Sequence, residues 1–347
     1  MNLICKHVEA LDGYTPGEQP RFEGMVKLNT NENPYPPSPK VGDALAQVDW
    51  QTLRLYPDPV CQRVRQQIAA NLQCDPECVF VGNGSDEILA LFTRAFVEVN
   101  GTVGYFEPTY SLYSVLAAIR DARVKPLPLD ADFTCPVPPA DFADAFIWTN
   151  PNAPTSIMAD PEQIRAFAKT FKGTLLIDEA YADFAPANCM AIATAPDNEN
   201  TLVMRTLSKS FSLAGVRFGY CVGPKRLIDA LYKIKDSYNM DALAQVIGLA
   251  ALSDLPYMQA NAERIIETRQ VLTTQLQQRG WKVLPSATNF LFAQPPVDAS
   301  QLFAALREEH IFVRYFPGEK TGKYLRITIG TPQQIERLLE VLARYHA

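Results

Sequence analysis

From residue 79 to residue 206 the chain repeats one order: a short apolar run, a polar stretch, then a segment with helical spacing. VFVG at 79–82 feeds NGSDEILALFTRAF, and TVGYFEP precedes YSLYSVLAAI. AFIWTNP ends in a turn, and TLLIDEAY and TLVMRT each run from apolar residues into polar ones. Asp160-Pro161-Glu162-Gln163 opens a helix, with Asp as N-cap, Pro at the first helical position and Gln closing a capping box. Parallel strands need crossover connections, and helices supply them. The order therefore predicts an α/β fold: a mostly parallel central sheet with helices on both faces.

After about residue 240 the pattern changes. A long helical segment (ERIIETRQVLTTQLQQRG) is followed by NFLFA, the helix ASQLFAALREE, IFVRYF, YLRITIG and a last helix from Pro332. This reads as α+β, with hairpin-capable strands at 311–315 and 324–329. A chain of 347 residues exceeds one ordinary core. The expected division is an N-terminal arm over 1–40 that joins the small domain, a large domain over 41–240, and a small C-terminal α+β domain over 241–347. Prolines number 27, above the roughly 5 % that is usual. Pro34, Pro36, Pro37 and Pro39 make the arm extended, and Pro126, Pro128, Pro136, Pro138 and Pro139 mark a long irregular connection.

Composition narrows the function classes. No apolar run reaches the ~18 residues of a membrane span, and Lys6, His7 and Glu9 interrupt the N-terminus where a secretory signal would be apolar. The net charge of −6 disfavours nucleic acid as the main partner. The seven cysteines are scattered, and only His7, His310 and His346 accompany them. No metal site is expected, and the cysteines read as buried small hydrophobes in a cytoplasmic protein.

Ligands of open parallel sheets lie at the carboxyl ends of the strands, so the polar residues there carry the chemistry. In GNGSDE, the amides of Ser85 and Asp86 can face an anion at a helix N-terminus; equally, Ser85 or Asp86 can simply cap that helix. Asp178 in DEAY leaves an apolar strand as a carboxylate in need of a partner, such as a cationic ring nitrogen, or else caps the next turn. Lys209 stands among small residues in SKS and can form an imine if it is partly deprotonated, while Ser208 and Arg217 can hold a phosphate.

Taken together, the Asn of NPNAPT, then D-x-x-Y, then S-K with an Arg eight positions on resemble the fold-type-I pyridoxal-phosphate enzymes of the aspartate aminotransferase superfamily. LNTNENPYPPSP, LYPDP, GNGSDE, EPTYSLY and YLRITIGT are similar to the histidinol-phosphate aminotransferase family, over nearly the whole chain. The resemblance implies that Lys209 carries pyridoxal 5′-phosphate and shuttles the substrate proton. It implies that Asp178 pairs with the ring nitrogen, that Tyr181 and Asn152 bind the ring hydroxyl, and that Tyr110 stacks on the ring. Ser85, Asp86, Thr206, Ser208 and Arg217 would bind the cofactor phosphate. Tyr56 would reach the phosphate of a neighbouring subunit, making a homodimer part of the site. Arg326, with Arg314 as a second candidate, would bind the substrate anion, and Tyr14 and Asn29 would line the substrate pocket. For Arg314 an ordinary surface ion pair remains the other reading.

One departure stands out. Ala153 and Ser156 replace the family's usual Asn and Gly in NPNNPTG, so the loop turn is expected to differ, because Gly permits backbone angles that Ser does not. The reaction implied is transamination of L-histidinol phosphate with 2-oxoglutarate to imidazole-acetol phosphate and glutamate. The rivals on the same scaffold are an aromatic amino-acid aminotransferase and a threonine-phosphate decarboxylase. A cofactor-sensing regulator is the rival of another class, and it lacks room for a DNA-binding module.

Overall fold

The computed structural model describes residues 3–15 and 17–345. A short strand, β1 (Val26–Lys27), lies in the N-terminal arm. It is followed by β2 (Val79–Asn83), β3 (Thr102–Glu107), β4 (Arg123–Pro128), β5 (Ala145–Thr149), β6 (Thr174–Asp178), β7 (Thr201–Thr206) and β8 (Phe218–Val222). These seven strands form one sheet in the order β2-β8-β7-β6-β5-β3-β4. The pairings among β3 to β7 are parallel, and β8 alone runs against both of its neighbours.

Both faces of the sheet are buried, which is why its strands read as continuous apolar runs. Phe146, Trp148, Leu175, Ile177 and Val203 point into one core. Ala145, Ile147, Leu176, Leu202 and Met204, their neighbours along the same strands, point into the other. Each fully buried aliphatic or aromatic side chain contributes about 1.5–3 kcal/mol, so this alternation holds the layers together.

The C-terminal region supplies β9 (Lys282–Val283), β10 (Phe290–Gln294), β11 (Ile311–Phe312), β12 (Arg314–Tyr315) and β13 (Leu325–Thr328). Four of them form an antiparallel sheet, β12-β13-β10-β9, while β11 pairs in parallel with β1. The arm is thereby a strand of the C-terminal region. Asn31 extends the join: its backbone amide donates to Thr328 Oγ1, and its carbonyl accepts from Asn289. The helix Ala242–Leu252 packs against the helices Pro39–Ala46 and Gln62–Leu72.

Several expectations are corrected. Pro126 and Pro128 belong to β4, where the sheet edge leaves their missing N–H groups without consequence. Gln163 does not serve a capping box; its amide donates to the Cys135 carbonyl, while Asp160 caps the helix alone. The segment 311–315 is not one hairpin strand, since only Arg314 and Tyr315 pair with β13. Only Cys61, Cys189 and Cys221 are buried, and Cys5 is exposed. Neither Ser85 nor Asp86 caps its helix: Asn83 occupies that position, and Glu87 reaches back to the Asn83 amide.

Phe218 lies against the helix Ala242–Leu252 at Gly248, where an added Cβ would sit 2.3 Å from the ring. Overpacking costs about 1–3 kcal/mol, and the better helix propensity of Ala returns at most about 1 kcal/mol. Gly248→Ala should therefore lower the urea midpoint of unfolding. An unchanged or raised midpoint would mean that Phe218 can move aside.

Candidate active site

At the carboxyl ends of the parallel strands lies a cavity of about 730 Å³. It gathers residues from the large sheet, the arm and the C-terminal sheet: Ser85, Asp86, Tyr110, Asp178, Tyr181, Thr206, Ser208, Lys209, Arg217, Arg314, Arg326, Tyr14 and Asn29 all line it. Two expected residues do not. Asn152 is buried, with its amide donating to Pro108 O and Thr155 Oγ1 and its oxygen accepting from Thr109. Tyr56 is 81 % exposed and stacks on Tyr238 at 4.4 Å.

Asp178 ends β6 beside Thr149 of β5, its partner in register. Its carboxylate accepts from the Tyr113 hydroxyl at 2.7 Å and from the Ala180 amide at 3.1 Å. Burial pushes its pKa up to about 6; the Tyr113 and Ala180 hydrogen bonds oppose that rise, and the charges of Asp86 and Glu179 add to it. Tyr113 escaped the sequence reading, although it lies only three residues beyond Tyr110, whose ring it meets edge-on at 5.6 Å.

Lys209 lies in the turn after β7. Burial, aided by the positive charge of Arg326, lowers its ammonium to about 8, with Glu32 pulling the other way. Asn33 donates to the carbonyls of Lys209 and Ser210, and Ser210 bonds Asp183, so the turn is held from two sides. Tyr181 accepts from Asn31 Nδ2 at 2.9 Å.

The helix Gly84–Phe96 presents its N-terminus to the cavity. Gly84 has φ +78°, and a Cβ there would meet Arg217 at 2.7 Å; a Cβ on Gly219 would meet the Ser85 amide at 2.7 Å. Both glycines thus keep a cradle of backbone amides and one arginine open. Arg217 meets Asp86 at 3.0 Å in a half-exposed pair that contributes little stability.

Arg326 of β13 lies directly opposite Arg314 of β12. Its Nη2 donates to the Asn29 carbonyl at 2.7 Å, and its buried Nε has no partner. Like charges on facing residues are unfavourable, so this end of the cavity is built for an anion.

The description "aminotransferase class I and II" matches residues 23–342. The chain belongs to the class I and II aminotransferases. A histidinol-phosphate aminotransferase of Citrifermentans bemidjiense is 40 % identical, covering 99 % of this chain and 98 % of that one. Another, of Bradyrhizobium diazoefficiens, is 42 % identical over 96 % of this chain and 97 % of that one. Among solved structures, a histidinol-phosphate aminotransferase of Sinorhizobium meliloti in complex with pyridoxal-5′-phosphate superposes with a TM-score of 0.88, at 25 % identity, covering 99 % and 98 % of the two chains.

The cofactor of this aminotransferase is pyridoxal phosphate. The donor set suits it: an amine poised near neutrality, a buried carboxylate with acceptor sites to spare, and an open amide cradle flanked by Arg217. The departure at Ser156 leaves the aminotransferase loop in a glycine-like turn after all. Ser156 takes φ +66°, and its hydroxyl donates to the Pro285 carbonyl at 3.1 Å, which helps to hold a conformation that Ser seldom adopts.

Asp178 carries a pH signature. Its folded pKa lies above the unfolded value, so the native cofactor-free protein binds the extra proton, and the contribution of Asp178 to stability falls as pH rises from about 4 to about 6. Tyr113→Phe removes a hydrogen bond to the ionised form and should extend that fall to higher pH. Superimposable unfolding-midpoint profiles for the two apo-proteins between pH 4 and 8 would sink this reading.

Proposed function

We propose that the protein transfers the amino group of L-histidinol phosphate to 2-oxoglutarate, giving imidazole-acetol phosphate and glutamate, a step of histidine biosynthesis. The observation that carries the substrate class is the facing pair Arg314 and Arg326, with an unpartnered buried Nε, in the same cavity as Lys209. Full-length identity of about 40 % to histidinol-phosphate aminotransferases supports it.

When bound, pyridoxal phosphate supplies an electron sink that makes the proton on the substrate Cα acidic. Lys209 carries the cofactor, and its Nζ takes and returns the proton at that Cα; a pKa near 8 suits an amine to this work close to neutrality. Asp178 keeps the ring nitrogen protonated, and Tyr113 and the Ala180 amide hold the carboxylate for that task. The Tyr181 hydroxyl would bind the ring hydroxyl, and Tyr110 would stack on the ring. The amides of Ser85 and Asp86, the hydroxyls of Thr206 and Ser208, and Arg217 bind the cofactor phosphate. Asn152 is left out of this assignment, because its amide is committed to Pro108, Thr155 and Thr109.

Arg326, with Arg314, orients the anion of either substrate, the phosphate of histidinol phosphate or the α-carboxylate of glutamate, while Tyr14 and Asn29 close the pocket beside them. The exposed run of Trp50, Leu53, Leu55, Tyr56 and Val60, with Tyr238, supports a homodimer in which Tyr56 reaches the neighbouring cofactor phosphate. A cytoplasmic setting is proposed with it; no helix among the described residues is long and apolar enough to cross a membrane.

Borohydride reduction of the holoenzyme should fix pyridoxal phosphate to the peptide containing Lys209, and a label on any other lysine would overturn the assignment. In the unreduced holoenzyme, kcat/KM for histidinol phosphate should exceed that for phenylalanine and for threonine phosphate at least tenfold. Carbon dioxide release from threonine phosphate would replace the reaction proposed.

Arg326→Ala should lower kcat/KM about a hundredfold or more in both half-reactions while the cofactor absorbance stays. Loss of the absorbance instead would put Arg326 on the cofactor.

A further inference from the structure

The anion end and the cofactor end of the cavity do not distinguish histidinol phosphate from other phosphorylated amines, so something must read its ring. A neutral imidazole has one N–H donor and one bare nitrogen acceptor. Its reader should therefore offer one acceptor and one donor on neighbouring positions.

Such a pair stands on the arm. Lys27 of β1, with its side chain only 15 % exposed, donates Nζ to Gln19 Oε1 at 2.8 Å and also to the Glu32 carboxylate. Gln19 and Glu32 line the same cavity as Lys209 and Arg326. One ammonium thus fixes what both offer. With Oε1 turned to the Lys27 ammonium, the Gln19 amide keeps its N–H groups for another partner. Burial opposes ionisation of Glu32, but its hydrogen bond and charge contact with Lys27, joined by Thr30 and Lys209, prevail and hold it below the usual carboxylate range. It is therefore an acceptor with free lone pairs.

The neighbouring backbone is fixed as well. Glu18 pairs with Arg307 at 2.8 Å, and its carbonyl accepts from Asn29 at 2.8 Å. At Gly17 an added Cβ would lie 2.8 Å from Thr30 and 3.6 Å from Arg314 Nη1, so the chain passes close beside the arginine pair. A substrate whose phosphate sits on Arg314 and Arg326 has its other groups within reach of residues 17–19.

We infer that Gln19 and Glu32, held together by Lys27, are the pair that selects a neutral imidazole ring, Gln19 donating to the bare ring nitrogen and Glu32 accepting from the ring N–H. This rests on the histidinol-phosphate reading and deepens it. A phenyl ring fills the same space, keeps water from both groups and offers neither of them a partner.

The test is a cycle of two substrates and three proteins. In the holoenzyme, kcat/KM is measured for histidinol phosphate and for phenylalaninol phosphate, which differs only in the ring. Gln19→Leu, at the exposed rim, should reduce the preference for imidazole about tenfold. Lys27→Met, which frees both readers, should reduce it at least as much, mainly through KM. Equal losses for the two substrates would assign the arm a merely structural role and overturn the inference, as would a preference that survives both changes. A wild-type enzyme with no preference would overturn the parent reading together with this one.

Discussion

A carboxylate buried at the end of a parallel strand is the constraint around which this pocket is arranged. Asp178 has two hydrogen bonds, from Tyr113 and Ala180, where an ionised carboxylate has about four acceptor sites. Asp86 and Glu179 make its charge harder to keep. Lys209, Arg217 and Arg326 stand across the same cavity, and burial depresses the first and the last of them. Acid and base are thus held apart rather than paired. This costs stability in the free protein, and the cost is offset when a ligand with a cationic ring nitrogen and an anionic arm joins the two.

The separation is maintained by strand pairing. The parallel register of β5 and β6 sets Thr149 beside Asp178, and the tyrosine beneath them touches both. On the opposite side, the single pairing of β1 with β11 does two jobs. It fixes Asn29, Asn31 and Glu32, which follow β1, and it fixes Arg314, which follows β11. Asn31 then ties Tyr181 to Thr328, so the large sheet and the C-terminal sheet meet across one amide. A cavity assembled this way gains precision from backbone ladders rather than from long flexible side chains.

What could be read from the sequence followed local rules. Strands β2, β3, β5, β6 and β7 announced themselves as apolar runs, and Lys209, Asp178 and Arg217 as polar residues beyond their ends. Strand β8 was hidden because FGYCV follows a polar loop with only the 3₁₀ turn Ala214–Val216 between, and its antiparallel direction breaks the repeating order. Tyr113 looked like core on an apolar helix; only its 2.7 Å contact with Asp178 gives it a part in the chemistry. For Asn152 the motif identifies the residue, but the hydrogen bonds of its amide depend on Thr109 and Pro108, more than forty positions earlier. Lys27 had no signal at all. Its meaning lies in Gln19 and Glu32, which a sequence does not show to be neighbours.

The two half-reactions of the proposed transamination place opposite demands on the ring-reading groups. Histidinol phosphate and glutamate share an amine and an anion, which Lys209 and the arginine pair can treat alike, but only one of them brings a ring. If the donor and acceptor for that ring were deeply buried, glutamate would leave both unsatisfied at a cost of about 1–3 kcal/mol each. Gln19 is exposed at the cavity rim, and the Glu32 side chain is 44 % exposed. At such positions water can answer both groups when no ring is present, with little entropic cost. Selection among phosphorylated amines and tolerance of glutamate are therefore compatible, provided the reader sits on the arm where solvent can replace the ring.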